Sequence, residues 1–589
     1  MIASFGFSER IALHFMHPTL RGILRGYSRY SRFVLSNITM PYRRSIMISS
    51  PKEHAVRTWL DQMEHQAPDI RRRLSGIFGD GPALIAGRVA QYTHALRAFG
   101  EVYGLDRKVV MVRAPARINL MGVHIEHRGG WVNYMALSRE IVMVAEQRED
   151  DVVSLRNVDE RTYPPRSFRI AEELPPEKRG NWLKFIDEVQ IQQGDWANYV
   201  KAAVLMLQDR QGNRPLRGLN LMVTGDIPSG AGLSSSSALV IATLEAALWA
   251  NDLQSLSKEE RVHIGGEGEW YVGTRGGSGD HAAMLFGQRG IVCHTRFFPL
   301  IVESVPFPTG YKVVACNSLR EARKAAGARH IFNQRLTAYE IGLMWTRKQF
   351  PEYAPRLEHL RDINAEHLGV DEGRIYEILK TMPERLTRDE ARAHLPNDRD
   401  HLEFLFRAHE DPPEGYEVRD VCAFGLAECA RGHITGELLN TGRIEELGEL
   451  MYISHDGDRV VSYLGDLRYG TPKATPWVWH ATKARLDRLI QDARGKDPVR
   501  RERAHLRFQP GGYRCSCEEL DLLVDLTKII PGIMGAGLTG AGLGGSILVL
   551  VKDEAVEPLI QTLQAWYYEP KGLSPAIEVC SPVEGAGLL

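Results

Sequence analysis

The sequence predicts an α+β protein built from two intertwined halves, and three observations carry that reading. Strand-like stretches, KVVMVRAPARINLMG (108–122), IVMVAEQR, VVSLRNV and LNLMVTG, alternate with helical patterns. Two glycine-rich loops, DIPSGAGLSSSSAL (226–239) and GAGLTGAGLGGS (535–546), lie far apart in the chain, each beside a strand pattern. A last apolar run, ILVLV (547–551), reads as a buried strand followed by a helix from about Val556.

Taken in chain order, residues 1–46 carry seven arginines and one acid, Glu9, which resembles an organellar presequence; a start at Met47 is the alternative. Residues 47–107 form a helical segment. Trp59, Leu60, Met63, Ile70, Leu74 and Ile77 recur at helical spacing, and a second helix spans about Val89–Phe99. From Lys108 the β-branched, alternating pattern predicts strands, and helices follow at about 235–249 and 258–270. The stretch 331–448 is mostly amphipathic helix and rich in charge, with an inserted or expanded part at about 345–445. A helix is expected at 518–528.

Composition narrows the function classes. With 589 residues, 43% hydrophobic and 25% charged, the chain is long enough for two or three domains with their own cores. A formal net charge of −1 gives no reason to expect nucleic acid or a membrane surface as partner. Seven cysteines, odd in number and without metal-type spacing, suit a reducing, cytoplasmic setting. No apolar run approaches the roughly 20 residues of a membrane helix.

The chemistry begins at the glycine loops. In the first, Gly230 and Gly232 permit close backbone approach, and Ser234, Ser235, Ser236 and Ser237 supply hydroxyls and caps at a helix start, where free N–H groups favour anions. Between a strand and a helix this is a phosphate cradle, spanning Pro228, Ser229, Gly230, Ala231, Gly232, Leu233 and the four serines. It lacks the GK[ST] of a Walker A loop. The second loop, with Gly540 and Gly542, has small residues at nearly every position before its strand.

Together with PARINLMG, these segments in this order resemble the three signature motifs of the GHMP kinase superfamily. The galactokinase branch is the nearest within it. The first motif there is of the type GRxNLIGEHTDYxxG, onto which residues 116–126 fall. GGSGDHAAMLFG (276–287) resembles a GIMDQ-type motif, VVACNS ends on Asn317 and Ser318 as the family's strand does, and Phe332-Asn333-Gln334-Arg335 stands for a YNxR segment. The resemblance covers about Lys108 to the C terminus, least well in the helical expansion. It implies a GHMP kinase fold of two mixed α/β lobes: a ribosomal S5 domain 2-like N-terminal lobe (108–310) and a ferredoxin-like C-terminal lobe (311–589).

It also implies roles. Asp280 falls on the catalytic aspartate, able to take a proton from an attacking hydroxyl, and Arg117 falls on the arginine that keeps it ionised. Asp280 is also well placed to cap the helix HAAMLF. ATP is expected with Mg²⁺, held in the family by a serine of the second motif and a glutamate some twelve residues before the aspartate. Ser236, or Ser235, is the candidate serine; the twelfth residue back is Gly268, so the register has slipped and Glu269 is the candidate carboxylate.

In the sugar-gripping part of the first motif, His124 is retained, Glu126 stands for aspartate, and Val123 replaces glutamate. Phe332 replaces the tyrosine of the YNxR segment. Two lost polar contacts, each worth on the order of 1–3 kcal/mol when a buried group is left unpaired, predict a changed substrate. A uronic acid, paired with Arg128 or His127, and a 6-deoxy sugar set against Val123 both fit. The expected activity is transfer of the γ-phosphoryl group to the anomeric hydroxyl of a galactose-like sugar. The alternatives are a catalytically silent sugar and ATP sensor, and a GHMP kinase for a non-sugar molecule. Monomer and homodimer are equally compatible with the sequence.

Overall fold

The computed structural model describes residues 53–228, 230–273, 276–320, 326–463 and 473–589. The basic leader 1–46 and Ser229 lie outside the described residues. Three helices come first: α1 Val56–Glu64, α2 Pro68–Phe78 and α3 Pro82–Tyr103. The last is longer than the expected Val89–Phe99, because Pro82 at its first position starts it a full two turns earlier.

A nine-stranded sheet follows. Its centre is β1 Lys108–Asn119 paired antiparallel with the long β2 Trp131–Gln147. Along β2, one part pairs with β4 Leu219–Gly225 and another with β5 Ile291–Arg296. β3 Val152–Asn157 runs parallel to β4. Alternating burial was expected for β1, yet every residue after Lys108 is buried. Both faces are covered: Val109 and Met111 pack with Trp59, Leu96 and Phe99 of the leading helices, whereas Val110 and Val112 join the core beneath the helices of the opposite face. The β1–β2 register shifts between Pro115 and Arg117, where proline has no N–H to give the ladder.

The helices of that opposite face are α4 Ala197–Gln211, α5 Ser235–Ala250, α6 Lys258–Glu269 and α7 Gly279–Phe286. α5 is buried from Ser237 to Ala250, and α6 opens with a capping box of Ser257 and Glu260. The cap of α7 is Ser278, with Asp280 in the first turn; Asp280 is therefore not the capping residue that the sequence suggested.

Helices dominate 326–458, including α8 Ala326–Gln349, α9 Val418–Thr441 and α10 Ile444–Asp458. They enclose a separate apolar core with Tyr339, Tyr376, Leu379 and Phe424, into which Val123 also packs. The second sheet has four strands, ordered β7 Ile533–Leu538, β8 Ser546–Lys552, β6 Tyr311–Asn317 and β9 Ile577–Cys580, all neighbours antiparallel. α11 Glu518–Thr527 and α12 Val556–Leu563 share its core through Leu520, Leu523 and Leu559. All seven cysteines are free. Among the described residues, no helix is long and apolar enough to cross a membrane.

Candidate active site

The fold brings the three motifs and the Asp280 loop to one place. Arg117 directly follows the register shift in the β1–β2 pair, and its guanidinium forms a fork on Asp280, Nε donating to Oδ1 at 2.5 Å and Nη2 to Oδ2 at 2.6 Å. Its third nitrogen, Nη1, donates to the carbonyl of Gly232 in the first glycine loop at 2.7 Å. The second glycine loop closes the ring, with Thr539 Oγ1 at 3.5 Å from the Asn119 amide.

Asp280 is further bonded by the Ser234 hydroxyl. Ser234 occupies the cap position of α5 in a left-handed conformation (φ 60°), but its side chain makes no capping bond. The sequence assigned capping to these serines; the hydroxyl serves the aspartate instead, and the first N–H groups of α5 are left for an anion. Burial acts to raise the Asp280 pKa, but the Arg117 charge, its two hydrogen bonds and Ser234 together hold it below the ordinary carboxylate value. This carboxylate stays ionised in a setting that would otherwise protonate it, and it can accept a proton from a bound hydroxyl.

The two glycine loops, the expected phosphate cradle, pack directly on one another. Gly232 and Gly540 are both left-handed (φ 77° and 83°), and a Cβ on either would lie 3.2 Å from a carbonyl oxygen of the facing loop, Thr539 or Gly232. Ser546 Oγ donates to the Ala231 carbonyl at 2.7 Å. Gly542 is the tightest point, where a Cβ would fall 2.0 Å from the Cys515 carbonyl oxygen.

Glu269, the expected metal carboxylate, ends α6 and accepts from Ser237 Oγ at 2.7 Å, with His281 Nε2 at 3.0 Å. Ser237 rather than Ser236 is thus its serine partner, since successive residues on a helix face directions about 100° apart. Gly268, at the expected spacing, packs against α4, where a Cβ would meet the Ala202 carbonyl oxygen at 2.8 Å; this explains the slipped register. Among the described residues, no cluster of three or more His, Cys, Asp or Glu side chains could hold a metal ion by itself. Glu269 and the serines at the start of α5 fit a divalent ion that takes its remaining ligands from phosphates and water.

The predicted sugar-side residues divide. Glu126 accepts from the Tyr134 hydroxyl beside the Asp280 loop. Val123 and Gly122 are fixed by their backbone N–H groups, both donating to the buried Glu428 at 3.0 and 2.9 Å. His124 stacks on Tyr513 (ring centres 4.3 Å apart), with Nε2 3.4 Å from Asp458 Oδ2. Phe332, on α8, lies 6.2 Å from the His127 ring. Arg128 forms an ion pair with Glu340 of α8, and Glu340 also faces His401 at 3.3 Å. Burial brings the Arg128 pKa down to about 10, and burial together with the Arg128 and His124 charges pushes that of His127 well below the usual histidine range. Tyr134, Glu428, Tyr513 and Glu340 were not singled out from the sequence, because nothing local marks their partners.

Comparison with known proteins bears on the fold and the family. Residues 198–288 match the GHMP kinases N terminal domain and residues 490–569 the GHMP kinases C terminal domain. Residues 97–147 match the galactokinase galactose-binding signature. The galactokinase of Dictyostelium discoideum is 25% identical over 540 residues, covering 86% of this chain and 93% of that protein. The galactokinase of Roseiflexus sp. (strain RS-1) is 24% identical over 489 residues, covering 83% and 95%. The crystal structure of Lactococcus lactis galactokinase complexed with galactose superposes with a TM-score of 0.57 at 20% identity, covering 84% of this chain and 98% of that one.

The chain belongs to the GHMP kinase superfamily and is an ATP-dependent small-molecule kinase. Within the superfamily it falls in the galactokinase-like branch. Gly542→Ala is therefore expected to weaken ATP binding about tenfold or more, since a side chain at a left-handed position costs of order 1–3 kcal/mol before any overlap with Cys515. Calorimetric titration with a non-hydrolysable ATP analogue measures this directly.

Proposed function

We propose that the protein transfers the γ-phosphoryl group of ATP to the anomeric hydroxyl of a neutral, galactose-like sugar, with a 6-deoxy sugar preferred over a uronic acid. The observation that carries the reading is the Asp280 carboxylate, gripped by Arg117 and Ser234 beside a glycine loop and an uncapped helix start. Asp280 accepts the proton of the sugar hydroxyl as that oxygen attacks phosphorus. Arg117 keeps the base ionised and offsets the charge that develops on the transferring group. The N–H groups at the start of α5 hold the phosphates, with Gly230, Gly232, Gly540 and Gly542 allowing the close approach. Glu269 and Ser236 would hold Mg²⁺, which neutralises phosphate charge when bound, and Ser237 orients Glu269.

The preference at C6 follows from two side chains. Val123 is buried with Tyr339, Phe424 and Tyr513, an apolar wall suited to a methyl group. Arg128, the cation that a uronate would need, is already neutralised by Glu340. A uronate would therefore bring a buried carboxylate with no free counter-charge, which costs several kcal/mol.

ADP release measured over galactose, 6-deoxygalactose and galacturonate is expected to give the highest kcat/KM for the 6-deoxy sugar and the lowest for galacturonate. Glu340→Gln should raise the galacturonate value several-fold by freeing Arg128, with little change for the neutral sugars. Highest activity on galacturonate in the native protein would contradict the reading of Arg128. No turnover on any sugar, with ATP still bound, would favour a sensor.

A further inference from the structure

We propose that Glu126 and Gly279 are a matched pair that positions the turn carrying Asp280, making Glu126 a positioning residue for phosphoryl transfer; the proposal rests on the sugar-kinase reading above. Gly279 opens α7, where the right-handed conformation admits any residue and glycine is the poorest choice short of proline. Space explains its presence. A Cβ at Gly279 would lie 2.1 Å from Glu126 Oε2 and 2.3 Å from Tyr134 Oη. A Cβ at Gly277 would lie 2.3 Å from Glu126 Oε1. The Glu126 carboxyl group, bonded by Tyr134, fills the notch that these two absent side chains leave, immediately before Asp280.

The sequence carries the same exchange. Where the family's GIMDQ-type motif has methionine this chain has Gly279, and where the sugar motif has aspartate it has Glu126, one methylene longer. Volume added on one side of the contact is removed on the other, as close packing demands. Burial and the neighbouring Asp280 charge both raise the Glu126 pKa, with Tyr134 and Arg117 opposing, which is the electrostatic mark of two carboxyl groups set close together.

The test is a double-mutant cycle of Gly279→Ala and Glu126→Asp, read in both activity and melting temperature on the full chain. Gly279→Ala alone is expected to lower kcat at least 100-fold, with the KM for sugar changed less than about threefold. Adding Glu126→Asp, which withdraws the carboxyl group by one methylene, should restore at least tenfold of the lost kcat. A loss expressed in sugar KM rather than kcat would overturn the positioning role, and additivity of the two changes would overturn the pairing. Should Gly279→Ala fail to fold, recovery of a cooperative melt in the double variant supports the pair and failure to recover it contradicts it. A native protein inactive on every sugar would sink the proposed function alone; the pair is then decided by the melting cycle, where recovery supports it and additivity does not.

Discussion

Asp280→Asn is expected to lower kcat for sugar phosphorylation by about 10²–10⁴-fold, the range that a positioned general base contributes, while ATP binding is kept. The amide has the size of the carboxylate but not its charge. One of its two ends becomes a donor, so it cannot accept from Arg117 on both sides and from Ser234 as well. The loss should therefore appear in the chemical step. Single-turnover quenching with saturating ATP measures that step directly, and titration with an ATP analogue checks that the cradle is intact. A variant retaining more than a tenth of the native rate would remove Asp280 from the role of base.

The second large effect is expected at Arg117. Its side chain is 8% exposed and that of Asp280 22%, so removing the guanidinium leaves a mostly buried carboxylate without its partner. Breaking such a pair costs about 3–5 kcal/mol when fully buried, and somewhat less here because part of Asp280 meets solvent. Arg117→Met should lower the melting temperature and also change the pH profile. The sign follows from the balance at Asp280: burial, the largest influence, raises its pKa, and the Arg117 charge and hydrogen bonds, joined by Ser234 and His281, bring it below the ordinary value. With the arginine present, the base remains ionised below neutral pH and activity is flat on the acid side. Without it, burial prevails, the pKa rises, and the acid limb of kcat/KM moves to higher pH. Arg117→Lys should fall between the two, retaining the charge but losing the fork and the bond to the Gly232 carbonyl. A pH–rate series for the three proteins separates these outcomes.

Much of this site could be read from the sequence because its parts are local. A strand ending at Asn119, a glycine and serine run before a helix, and a second glycine run before β8 each carry their chemistry within about a dozen residues. The small residues at 277 and 279 were visible too, but their reason was not, since it depends on Glu126 folding across from another strand end. Burial of β1 on both faces was missed because strand alternation reports only one covered face, and here the leading helices cover the other. The Ser234 hydroxyl could be assigned to capping from sequence because its true partner lies 46 positions away. Arg128 looked free for the same reason: Glu340 belongs to a helix that amphipathic patterning located without revealing which face meets the first motif. The expected metal spacing pointed at Gly268, and only the close packing of α6 on α4 shows why glycine stands there and Glu269 faces the site.

The proposed role of Asp280 is to direct a phosphoryl group onto the anomeric oxygen of a galactose-like sugar. The measurement closest to it is phosphorus and proton NMR of the product formed from 6-deoxygalactose and ATP, with Asp280→Asn as the blank. One new phosphomonoester signal coupled to the anomeric proton is expected, absent with the variant. A phosphate on any other carbon, or an equal signal with Asp280→Asn, would contradict it.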